Sequence, residues 1–197
     1  MNEWSEQIIF HPWVGSNYSS SRYRVLLLGD SHYGEETEAH NRLTQDVITY
    51  WCLERKQPGR FFTCIIWTLF GNRDDMDDKF SKVAFYNYVQ RLMPEPRRAP
   101  SRDDYEAAKK PFIEVLNKLS PDFVISFGEG MTWHFPCIAE EDDSWRKDIA
   151  DETHDVWISA FELDNHSIPL YSLPHPSGNK FNMRTYHEYF NKHGLTL

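Results

Sequence analysis

The chain has 197 residues with a formal charge of −9, 40% hydrophobic and 15% aromatic, enough apolar material for one compact domain with a substantial core. The acidic balance argues against a surface coated in basic charge, though a local basic strip would still serve a nucleic acid. Cys52, Cys64 and Cys137 are far apart with no C-x-x-C pair, which excludes a zinc ribbon or a four-cysteine iron–sulfur site. The odd cysteine count and the opening "MNEWSEQIIFHPWVG", which lacks a signal-peptide pattern, lead us to expect a cytoplasmic protein. No apolar run approaches the ~20 residues of a membrane span.

In chain order, "SNYSSSRY" reads as a loop, and Val25–Leu28 as a short strand buried on both faces. The polar turn "GDSHYG" (29–34) follows. Leu43, Val47, Ile48 and Trp51 recur at helical spacing, and Pro58-Gly59 closes that segment. "RFFTCIIWTLFG" reads as a second β-rich run. "DDMDDKFSKVAFYNYVQRLM" reads as an acidic helix start followed by a helical or mixed segment, and "PEPRRAPSRDD" as a Pro-rich basic loop. Ser101 and Asp104 fit an N-terminal cap. The helix after it is expected over 104–119, burying Phe112, Val115, Leu116 and Leu119. "FVISFG" is a further buried strand. Region 136–166 is acidic and reads as a helix plus a strand or hairpin around "HDVWISAFEL". "IPLYSLPHPSG" is a strand ending in a turn, and "NMRTYHEYFNKHG" a closing helix.

Alternating strands and helices predict an α/β fold with a mainly parallel central sheet and one domain over residues 1–197. Ligands bind beyond the carboxyl ends of strands in such sheets. The turns at 29–34, 128–133 and 175–180 are expected to meet there, joined by the end of the run near Thr63–Thr68.

Two chemistries compete for the first turn. Gly29-Asp30-Ser31 resembles the first block of the SGNH/GDSL hydrolases, which would make Ser31 a nucleophile served by Asp151 and His154 in a D-x-x-H pair. Ser31 reads equally as a turn hydroxyl bonding its own backbone. The late "LYSLPHPSGNKF" instead resembles the His-Pro-Ser signature of the uracil-DNA glycosylase superfamily. "GDSHYG", "FFTCIIWTLFGNR" and "SPDFVISFG" resemble that superfamily's other elements, in the same order.

That resemblance implies a three-layer αβα fold and a glycosylase acting on a base flipped out of DNA. Asp30 would stabilise the sugar cation and orient water, and His175 would donate to the departing base. Tyr33 and Trp67 would sandwich the base, although core packing also explains Trp67. The position of the superfamily's activating aspartate falls on Ser31, and that of its base-reading amide on Cys64, which cannot make a two-point bond to a base edge. Asn87 can take over that reading, or sit as a surface or capping residue.

Ser177, Asn179, Lys180 and Arg184 would hold DNA. Phe181 or Met183 would fill the vacated stack, unless they form the apolar face of the last helix. Arg97, Arg98, Arg102, Lys109, Lys110, Lys180, Arg184 and Lys192 supply a basic strip or an ordinary solvated surface. The expectation is a monomer with DNA as partner and no cofactor, metal or membrane. The favoured substrate is a modified base, such as hydroxymethylated or glucosylated cytosine of phage DNA, which would suit antiviral defence. A binding module of the same fold without turnover is a further alternative.

Overall fold

The computed structural model describes residues 4–95, 98–138, 145–164 and 166–197. Its centre is a seven-stranded sheet in the order β1-β3-β2-β4-β7-β6-β5. The strands are β1 (Trp13–Val14), β2 (Val25–Gly29), β3 (Val83–Asn87), β4 (Phe123–Phe127), β5 (Arg146–Asp151), β6 (His154–Leu163) and β7 (His166–Leu173). The helices are α1 (Leu43–Val47), which runs straight into a π-helical turn over Ile48–Glu54, then α2 (Gly59–Phe70), α3 (Met76–Ser81), α4 (Arg102–Leu119), α5 (Glu129–Thr132) and α6 (Met183–Lys192). Among the described residues no helix is long and apolar enough to cross a membrane.

The α/β class is as expected, but the sheet is mixed rather than mainly parallel. β3, β2, β4 and β7 are mutually parallel, while β1, β6 and β5 join antiparallel. The cause lies in the connections. Asp151 pairs with His154 and Leu163 with His166, so β5–β6 and β6–β7 are each joined within a few residues, and so short a connection can only reverse a strand. Asp151 fixes the first hairpin by accepting the backbone N–H groups of Thr153 and His154 on Oδ1.

β2, β3 and β4 are buried at every residue, and their alternate side chains feed two cores. Val25 and Leu27 pack with the π-helical turn, α2, α3 and α6 on one face. Leu26 and Leu28 pack with α4 and Met131 on the other. With both faces covered, these strands carry continuous apolar runs without alternation.

Residues 59–70 form helix α2, not a strand. The run reads apolar throughout because α2 is wedged between the sheet and α6, burying Cys64, Ile65, Ile66, Thr68 and Leu69. Its twelve residues exceed a usual buried strand. It stops at Gly71, whose left-handed backbone (φ 70°) lets its N–H return to Trp67 O at 2.8 Å. The strand of this region is β3, inside the segment read as helical or mixed. α4 begins two residues earlier than expected, on the Ser101–Asp104 capping box, and buries Phe112, Val115 and Leu116 as predicted.

Candidate functional site

β2 and β3 lie side by side, with Gly29 opposite Asn87, and their pairing continues past the strand ends. Tyr88 N–H donates to Gly29 O (2.9 Å), Val89 N–H to Asp30 O (2.9 Å) and Met93 N–H to His32 O (2.8 Å), and Gly34 N–H returns to Met93 O (3.0 Å). The turn bearing Asp30 is thus stitched to the chain after β3. Gly29 is required here by close approach: a Cβ would lie 2.3 Å from Asn87 Oδ1 and 3.0 Å from the Phe85 ring.

A cavity of about 310 Å³ opens beyond these strand ends, near the lower bound for small-ligand sites, roughly 300 Å³. The 29–34 turn contributes Asp30, Ser31, His32 and Tyr33, and β3 contributes Phe85 and Asn87. Val47, Phe61 and Phe62 come from the helical side, and His175 from the turn after β7.

Asp30 is mostly buried. Tyr105 Oη donates to its Oδ2 at 3.3 Å, and its Oδ1 has no partner. Burial drives its carboxyl up to about 6, against the smaller opposing effect of the Tyr105 bond. His175 lies against Phe61, ring centroids 5.5 Å apart and planes 30° apart. Its Nδ1 accepts the Ser177 backbone N–H at 3.2 Å and meets Ser177 Oγ at 2.7 Å. A backbone N–H can only donate, so a neutral His175 carries its proton on Nε2. Burial lowers its pKa and favours that neutral form. Arg60 Nε donates to Pro176 O (2.8 Å), tying this turn to the start of α2.

Asn87 is only 5% exposed, yet its carboxamide has no hydrogen-bond partner among the described residues; Gln90 Nε2 donates to its backbone oxygen. On the cavity lining, an amide without protein partners is free to pair with the donors and acceptors of a ligand. His32 differs: its Nε2 meets Thr44 Oγ1 at 2.9 Å, its ring meets Phe10 edge-on, and burial lowers its pKa to about 4. It is a neutral structural residue under the turn.

The sequence matches no protein-family model and no curated protein. What the site can do must therefore come from its own chemistry. It offers a carboxylate with one free oxygen, an imidazole N–H donor, an unpaired amide and aromatic walls. Such a set can hold a planar polar heterocycle, donate to a leaving group and accept a proton from water.

Of the expected site residues, Asp30, Tyr33, Asn87 and His175 share this cavity, with Tyr33 exposed at its rim. Cys64 and Trp67 do not line it. Because 59–70 is a helix, Cys64 faces a separate cleft with Arg60, His154, Asn179, Phe181, Asn182 and Met183. Trp67 is half-buried, with the Arg184 guanidinium 5.9 Å from its ring. Ser177, Asn179, Lys180 and Arg184 are exposed around the 175–180 turn and the start of α6. Phe181 is no wedge: it is buried against Phe127 and Tyr186, and Met183 packs on the same core. The 128–133 turn contributes nothing to the cavity lining; its Thr132 Oγ1 meets Ser172 Oγ at 2.6 Å.

Arg98, Arg102, Lys110 and Lys192 are exposed, Lys109 pairs with Glu106, and Arg97 lies outside the described residues. Asp151 and His154 do bond to each other (2.7 Å), but as part of the β5–β6 turn with Thr153 and Thr185. Ser31 Oγ is buried without any partner, so neither of them serves it as a base. Among the described residues no group of three or more His, Cys, Asp or Glu side chains is placed to hold a metal.

Sequence reasoning missed Phe61, Phe62 and Phe85, lost with the misassigned helix and strand, and Tyr105. The last was within reach: it begins the series 105, 108, 112 and 115 that α4 buries.

Proposed function

We propose that the protein is a DNA glycosylase of the uracil-DNA glycosylase type, built on a three-layer αβα plan, acting on a flipped-out modified base. The observation that carries this reading is the meeting of Asp30, His175 and the unpartnered Asn87 amide in one aromatic cavity. The base would enter between Phe61, Phe85 and Tyr33. Asn87 would pair with its polar edge; with no protein bond fixing the amide's direction, either a uracil-like or a cytosine-like edge can be met. Hydroxymethylated or glucosylated cytosine is one candidate.

As the bond from C1′ to the base nitrogen breaks, positive charge grows on the sugar and negative charge on the base. Ionised Asp30, held on Oδ2 by Tyr105, stabilises the first and receives the proton of the attacking water on Oδ1. The water oxygen bonds to C1′. His175 Nε2–H donates to the departing base and stabilises the second charge. Nothing in the geometry favours the serine-esterase alternative.

The test is release of free base from oligonucleotides carrying uracil, hydroxymethylcytosine or glucosylated hydroxymethylcytosine, read as alkali-labile sites. Cleavage on at least one substrate, abolished in Asp30→Asn, is expected. No release across the panel would overturn the reading.

A further inference from the structure

The segment joining the two helical walls of the cavity has no role in the chemistry above. Residues 48–60 are bracketed by cavity-lining residues, Val47 before and Phe61 and Phe62 after. The π-helical turn buries Ile48 and Cys52 but leaves Tyr50 41% and Trp51 43% exposed. These rings meet edge-to-face, centroids 5.0 Å apart. The Arg55 guanidinium lies 4.5 Å from the Tyr50 centroid and 5.4 Å from that of Trp51. The backbone supports this grouping, since Arg55 N–H reaches back to Tyr50 O at 3.0 Å and Gln57 N–H to Trp51 O at 2.8 Å. π-Turns of this kind recur at functional sites.

Charge follows the same segment. In a chain of net −9, residues 50–60 hold Arg55, Lys56 and Arg60 against one acid, Glu54. Lys56 lines a separate cleft with Arg73, Asp74, Asp75 and Asp77. Arg55 and Arg60 remain exposed, and Arg60 is already fastened to the His175 turn through Pro176. Exposed aromatic faces interleaved with guanidinium groups are the chemistry that grips an unpaired polynucleotide strand: bases stack on the rings and phosphates meet the cations.

We infer that residues 50–60 are a strap for single-stranded DNA, an unpaired base stacking on Trp51 while Arg55 and Arg60 hold adjacent phosphates. The inference rests on the reading of the cavity as a DNA-base site, and it adds that the preferred substrate is unpaired next to the target base.

The experiment is fluorescence anisotropy with an end-labelled oligothymidylate of about 12 nucleotides, within the usual span of strand-binding grooves, compared with a duplex of equal length at several salt concentrations. Tighter binding of the single strand is expected. Trp51→Ala should weaken it about tenfold or more, Trp51→Phe should restore most of it, and Arg55→Ala should reduce the salt slope by about one. Circular dichroism and melting confirm that each variant is folded. Trp51→Ala and Arg55→Ala binding like the parent, or a parent that does not bind the single strand, would overturn the strap. The probe contains no excisable base, so the outcome is independent of base release. Excision without dependence on Trp51 sinks the strap alone, and Trp51-dependent binding without excision from any substrate sinks the glycosylase reading alone.

Discussion

Replacing Asp30 with Asn should stabilise the protein while abolishing its activity, and the pH dependence of that gain can be worked out. Burial lifts the folded carboxyl from 3.8 to about 6. At about 1.4 kcal/mol per tenfold change in proton affinity, the fold disfavours the ionised group by about 3 kcal/mol. The folded state binds the proton more tightly than the unfolded chain. This contribution is therefore fully favourable below about pH 4 and is lost as pH rises through about 6. Asparagine carries no such penalty, but its N–H beside the unpartnered Oδ1 position returns about 1 kcal/mol.

The net expectation for Asp30→Asn is a gain of about 2 kcal/mol near pH 8, or about 4–8 °C in Tm, with the advantage gone below about pH 4. His32 works in the opposite sense. Its pKa falls from 6.5 to about 4 in the fold, so its contribution is lost as pH drops through the same window. In the parent the Asp30 slope opposes that of His32; the variant lacks this opposition, so its stability should rise more steeply than the parent's from about pH 4 to 6.5, with the lowered pKa of His175 sloping the same way. Urea unfolding at a series of pH values, followed by tryptophan fluorescence, reads both effects. A difference between variant and parent that does not change with pH, or a variant less stable near pH 8, would refute the argument from burial. Full base release by the variant would remove Asp30 from the mechanism.

Three further substitutions probe the same cavity. Tyr105→Phe removes the one donor to the Asp30 carboxylate, so the ascending limb of the pH–rate profile should move above the parent's value of about 6. A limb that stays put or moves down would mean that Asp30 does not set it. Gly29→Ala places a methyl 2.3 Å from Asn87 Oδ1, so base release should fall at least tenfold, far more than stability alone explains; substrate affinity and melting measured together separate the two. Ser31→Ala deletes a buried hydroxyl that bonds to nothing, so base release should persist and stability stay equal or rise by up to about 1 kcal/mol. Loss of all activity in a folded Ser31→Ala variant would bring a serine mechanism back.

What could be read from the residues alone depended on whether a local pattern had one solution or two. β2 and β4 are short, almost wholly apolar and bounded by turns, and α4 has its Ser101–Asp104 cap; each pattern fits one structure. The run 59–70 fits two, because a helix buried on most sides loses its period. Reading it as a strand hid β3, and with β3 the place of Asn87 at a strand end. That error also moved the expected base reader to Cys64, which the helix turns toward another cleft. Asp30 and His175 survived because turns after strands are positioned by the strands, whatever the helices do. The antiparallel half of the sheet was ambiguous for a different reason: hairpin reversals depend on turns such as 151–154, whose Asp-Glu-Thr-His carries no glycine signal.

The paired backbone beyond β2 and β3 has a kinetic meaning. Loops that bear reacting groups often have to be ordered by the substrate, which drains binding energy into conformational entropy. Here four main-chain hydrogen bonds between 29–34 and 88–93 fix the Asp30 turn before any ligand arrives. The carboxylate is preorganised; on the glycosylase reading proposed above, the reorganisation that remains falls to the nucleic acid, whose base must unstack and swing into the cavity. Substrates whose target base is already loosely stacked should accordingly gain in turnover, with little further to gain from any motion of the protein.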